Sequence, residues 1–118
     1  MTVIASTTES DSKRTMRTAL TDGSGRWFDA SRATCWPEAR YFDGSNHISK
    51  ATGQQWEHEK LFRTAGGVYV LHHWSDWQSS GPDRYEPISA RAAAAWLVKN
   101  DHEPGKDLAA TAAALEVQ

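Results

Sequence analysis

As far as Ile88, apolar residues fall in short stretches separated by glycine-bearing turns; beyond it they recur at helical spacing. The strongest pattern covers residues 55–77. There Gln55-Trp56-Glu57-His58-Glu59-Lys60-Leu61-Phe62-Arg63 runs into Thr64-Ala65-Gly66-Gly67, and Val68-Tyr69-Val70-Leu71-His72-His73-Trp74 runs out. β-Branched and aromatic residues on both sides of a Gly-Gly pair predict a long antiparallel hairpin. An earlier hairpin is predicted where Thr18 to Leu20 and Arg26-Trp27-Phe28 flank Asp22-Gly23-Ser24-Gly25, because Asp-Gly suits a tight reversal of chain. Asp29 or Ser31 is placed to cap a short helix reaching Trp36, which Pro37 would end by pushing its predecessor out of the helical region. Short strands are expected over 39–42, before the turn Asp43-Gly44-Ser45-Asn46, and over 85–88, where Pro87 confines the strand to an edge or an end.

Ser89 then stands as the N-cap of a helix running to about Asn100, with Ala93, Trp96 and Leu97 on one face and Lys99 at the negative end of the dipole. Leu108, Ala112 and Leu115 form a weaker helical stripe. Residues 1–16 are rich in Ser and Thr with mixed charge and read as a disordered, solvated tail. The expected organisation is that tail, a single α+β domain over 17–101, and a C-terminal extension over 102–118 that forms a short frayed helix. The domain is a small antiparallel sheet built from two β-hairpins with a C-terminal helix packed on it.

Composition alters this picture in one respect. Leu, Ile, Val and Phe together number 17 of 118 residues, a low aliphatic content, whereas there are six Trp. Each Trp can bury roughly 150 to 250 Å², so the core is expected to be built on indole, with Trp27 and Trp96 inside it. A net charge of −2, from 13 basic and 15 acidic residues, lacks the cationic excess that phosphate neutralisation requires and disfavours nucleic acid as a partner. Cys35 is the lone cysteine, so an intrachain disulfide and a cysteine-rich zinc cluster are both excluded, and a reducing cytoplasm fits best. The apolar run Val3 to Ala5 is too short for a secretory segment, and the longest run, Ala92 to Val98, falls far short of the roughly 20 residues a membrane span needs.

Several catalytic and cofactor motifs fail on inspection. His58-Glu59-Lys60-Leu61-Phe62 opens like a zinc-protease signature but has Phe62 where the second His must stand. Gly23-Ser24-Gly25 lacks the third glycine and the strand-to-helix context of a dinucleotide loop. What remains is a concentration of His and carboxylate on the long hairpin. A two-residue turn at Ala65-Gly66 would place His58 opposite His73 and Glu59 opposite His72, while a turn centred on Gly66-Gly67 would put Lys60 opposite His73. Opposed β-carbons lie roughly 4.5 to 5.5 Å apart, so His58, His72 and His73, with Glu59, are candidate ligands for zinc or another divalent metal, or candidate acid-base groups. The competing reading makes them aromatic fillers whose ring nitrogens find carboxylate or backbone partners, with no cofactor at all.

The tryptophans carry the leading functional expectation. Trp74 and Trp77 are three apart and project to opposite sides of a strand, so one helical layer cannot cover both. Exposed Trp and Tyr favour interfaces because they offer large area with few rotatable bonds. Trp56, Tyr69, Trp74 and Trp77 are therefore the candidate binding residues of a small non-catalytic interaction or regulatory module. It would dock a protein partner or a second copy of itself as a homodimer. A Trp face holding sugars or other flat ligands is the third reading.

Overall fold

The computed structural model describes residues 16–77 and 81–118. The tail read at 1–16 lies outside the described residues except for Met16, as do residues 78–80 of the loop after the long hairpin. The fold is α+β, with antiparallel strands first and helices at the C-terminal end. In chain order the strands are β1 (Arg17–Ala19), β2 (Trp27–Asp29), β3 (Thr34–Pro37), β4 (Arg40–Phe42), β5 (His47–Ser49), β6 (Glu57–Arg63), β7 (Tyr69–Ser75) and β8 (Arg84–Ile88). Helices α1 (Ala90–Lys99) and α2 (Ala109–Ala114) follow. The main sheet has the order β3-β6-β7-β8, and β1-β2 and β4-β5 form separate two-stranded sheets.

Two expectations are corrected here. Asp29 does cap, its Oδ1 accepting from the Ser31 N–H at 3.0 Å, but what it caps is a single 3-10 turn over Ala30–Arg32. The chain is extended again from Thr34, because pairing of β3 with β6, Trp36 opposite Leu61, outweighs a helix too short to repay its nucleation. The second correction concerns the register of the long hairpin. The Thr64 N–H donates to the Val68 carbonyl at 2.9 Å, enclosing Ala65, Gly66 and Gly67, with Gly67 left-handed at φ 88°. This is a three-residue loop ending in a glycine bulge. It pairs His58 with Trp74, Glu59 with His73, and Lys60 with His72, so neither expected His arrangement occurs. A slip of one residue moves a strand's side chains to the opposite face relative to its partner.

The true register sorts the sheet into two chemically distinct faces. Leu61, Tyr69 and Leu71 share one face with Trp36, and α1 packs there through Ala93, Ala94, Trp96 and Leu97; Leu108, just before α2, is buried in the same cluster. The opposite face carries His58, Lys60 and Phe62 across from Trp74, His72 and Val70. The β1-β2 hairpin covers its upper part, Phe28 lying 5.3 Å from the Phe62 ring and 6.3 Å from Tyr85. Alternation along β2 sends Phe28 inward and Trp27 out, so Trp27 is an exposed residue and not the core residue expected; Arg17 lies over its ring at 5.0 Å. On the outer edge of β8, Thr21 donates its N–H to the Tyr85 carbonyl and its Oγ1 accepts from the Tyr85 N–H, each at 2.8 Å. Pro87, two residues on, has no N–H to offer.

Helix α1 forms where its sequence specifies. Ser89 Oγ accepts from the Ala92 N–H at 3.1 Å, and the alanine run has high helical propensity. It ends in a Schellman motif: Asp101 takes φ 64°, its N–H reaches the Val98 carbonyl, and the His102 N–H reaches that of Leu97. Among the described residues no helix is long and apolar enough to cross a membrane.

Leu97 is fully enclosed, whereas its neighbour Val98 faces solvent. Leu97→Ala should therefore lose about 2–5 kcal/mol in urea unfolding, and Val98→Ala should stay within about 0.5 kcal/mol of the parent. Gly67→Ala, which forces a side chain into the left-handed region, should cost about 1 kcal/mol.

Candidate functional site

The open end of the β6-β7 hairpin, opposite its loop, gathers the polar and aromatic groups of interest. Their anchor is Glu38, in the two-residue connection between β3 and β4, whose side chain is 3% exposed. Its Oε1 accepts from Ser49 Oγ at 2.7 Å and from the Glu59 backbone N–H at 2.8 Å. Its Oε2 lies 2.7 Å from Arg40 Nε and 2.7 Å from His58 Nδ1. Burial works to raise the pKa of this carboxyl, but these donors outweigh it and hold it below its ordinary 4.5. The flanking residues are tied to the end of α1. Asn100, buried, accepts from the Ala39 N–H through Oδ1 at 3.0 Å, and His102 Nε2 lies 2.6 Å from the Pro37 carbonyl.

His58 is itself 3% exposed, and its second nitrogen, Nε2, lies 2.8 Å from Asp76 Oδ2. Asp76 sits just past β7, and its N–H donates to the Trp56 carbonyl at 2.9 Å, extending the hairpin register by one position. The chain then bends, the Trp77 N–H donating to Ser75 Oγ at 3.1 Å. The bend brings the Trp77 ring to 5.5 Å from Trp56 with the planes at 65°, an edge-to-face pair. Trp56 is 45% exposed and Trp77 56%.

Of the candidate binding residues, then, Trp56 and Trp77 are brought together in solvent. Trp74 lies further along the same face as Trp56, its ring 5.5 Å from His58 and 4.8 Å from His72, under the Lys60 ammonium. Tyr69 is 8% exposed and belongs to the core beneath α1, so it does not join the others.

The candidate metal ligands are divided by the sheet. His58 and His72 lie on the aromatic face; His73 and Glu59 lie on the helical face. Each has partners already. His72 Nε2 lies 2.9 Å from Asp83 Oδ2, and its ring stacks on Tyr85 at 4.2 Å. Burial holds the His72 imidazole below its ordinary 6.5, with the Asp83 carboxylate opposing. His73 lies between Glu57 and Glu59 at 3.4 and 3.5 Å, and Glu59 Oε1 accepts from Trp96 Nε1 at 3.0 Å. Among the described residues no three His, Cys, Asp or Glu gather as a metal-binding group.

Glu38, Ser49 and Asn100 were not among the residues singled out by sequence. Apart from Arg40, two residues on, the partners of Glu38 lie 11, 20 and 21 positions along the chain, and no local pattern joins them. No family model, curated protein or solved structure matches this chain.

Glu38→Ala should lower stability by about 3–5 kcal/mol, because it strands donors that are buried with it. A depressed folded pKa contributes stability that is complete above pH 4.5 and is lost as pH falls through the folded value. Glu38→Gln should therefore flatten the acid limb of urea midpoints plotted against pH. His72 acts in a separate window: its lowered pKa makes stability fall as pH drops from 6.5 toward its folded value, and His72→Phe should remove that component.

Proposed function

We infer that this protein is a non-catalytic interaction module that docks a protein partner through the Trp56–Trp77 pair. The observation that carries the reading is that two indoles, both about half exposed, are packed against each other at the end of a hairpin whose base is fixed by buried polar groups. A solvated pair of this size costs hydration that burial in an interface recovers, at roughly 25 cal/mol per Å² of apolar surface. The backbone carrying Trp56 is also held before any partner arrives. Trp56 is tied through its carbonyl to Asp76, and Asp76 to the buried His58, so little ordering entropy remains to be lost on association. Tryptophan is the residue type most enriched among interface residues that dominate binding energy.

The supporting arrangement favours docking over chemistry at the hairpin histidines. Each ring there is engaged by carboxylates, and the four residues considered as a metal set stand on opposite faces of the sheet. A regulatory role is consistent with such a module but adds no feature of its own.

Wild-type protein and Trp77→Ala should be used as paired baits, and any retained protein then purified and titrated against both by calorimetry. The expected result is a loss of about 2 kcal/mol or more, some 30-fold in affinity, with an unchanged urea midpoint. A partner bound equally by both proteins, or no partner for either together with a monomer in sedimentation, overturns the reading. Self-association lost in Trp77→Ala would identify the partner as a second copy.

A further inference from the structure

We propose that the Trp56–Trp77 pair receives a positively charged side chain, lysine or arginine, projecting from a basic segment of its partner. The proposal rests on the docking reading above and gives the partner's chemistry. Indole faces attract cations through the ring quadrupole, and the fold uses that attraction elsewhere. Arg17 stands 5.0 Å from the centre of the Trp27 ring, and Lys60 Nζ stands 5.4 Å from that of Trp74. Among the described residues no cation stands over Trp56 or Trp77, although these rings are as exposed as Trp27 or nearly so. Edge-to-face packing at 65° sets the two half-exposed rings at a corner against which a compact charged head can rest.

Charge around the corner has the complementary sign. Asp76, across from Trp56, has a side chain that is 55% exposed even though its Oδ2 is engaged by His58. Asp83, also half exposed, lies at the same end of the aromatic face, where it engages His72. The cations on this side of the sheet are engaged elsewhere, Arg40 by Glu38 at 2.7 Å and Lys60 over the Trp74 ring at 5.4 Å. An exposed carboxylate beside an aromatic corner repels acidic partners and steers basic ones. The Asp76–His58–Glu38 chain holds that carboxylate in place.

The test uses the full chain labelled with ¹⁵N and three peptides of equal length in which lysine and arginine, glutamate, or glutamine occupy the same positions between glycines. With the basic peptide, the indole N–H resonances of Trp56 and Trp77 should shift, and the affinity should fall as salt is raised. Trp77→Leu, which keeps apolar area without a π face, should weaken binding by about 2- to 30-fold, and Trp77→Phe should restore part of it. Asp76→Asn should weaken it further, with the resonances of Leu61 and Leu97 unmoved as a check on the fold. Equal shifts with the glutamine peptide, or a Leu variant that binds like the parent, overturn the cationic proposal while leaving a docking surface. Shifts in none of the three titrations overturn it as well, and the paired-bait experiment then decides separately whether the pair docks anything.

Discussion

A carboxylate taken out of water must be repaid with donors, and Glu38 is repaid from four directions. Serine, histidine, arginine and a backbone N–H, contributed by β4, β5 and β6, converge on its two oxygens. The residues on either side of it are held by Asn100 and His102 at the end of α1. One short connection thereby fastens the β4-β5 ribbon, the main sheet and the helix to one another. This matters in a chain with so few aliphatic side chains, because apolar area alone orders fewer elements here than in an ordinary domain of this length. Buried networks of this kind are strongly directional, so they also select a single arrangement of the parts they join.

The exposed aromatic corner is the outer end of that network. Glu38 positions His58, His58 engages Asp76, and Asp76 is bonded to the backbone of Trp56. The exposed indoles are therefore continuous with a buried carboxylate at the centre of this network. The same histidine that suggested catalysis serves to align an acidic residue beside two indoles.

What could be read from the chain followed the range of the interactions. Turn glycines, the Ser89 cap and the spacing of Ala93, Trp96 and Leu97 act within a few residues, and they located the long hairpin, the edge strand at Pro87 and α1 correctly. The register failed on one residue. Ala65-Gly66-Gly67 closes a three-residue loop where a two-residue turn was expected, and that difference exchanged the faces of Tyr69, Leu71 and His73 relative to β6. Alternation along a strand made it legible that Trp74 and Trp77 could not both be covered, but the exposure of Trp56 and its contact with Trp77 were not, since that contact depends on a bend after Ser75. Glu38 was illegible because its environment is assembled from residues scattered over β4, β5 and β6.

The outer margin of β8 has a consequence for the protein in bulk. Thr21 occupies both hydrogen-bonding groups of Tyr85 on that side, and Pro87 withholds the next donor. A second molecule arriving there finds no run of free amides to template on, so edge-to-edge pairing is blocked along the β8 margin of the sheet. The chain can consequently display sticky indoles at one end without β8 offering its backbone as a template beside them.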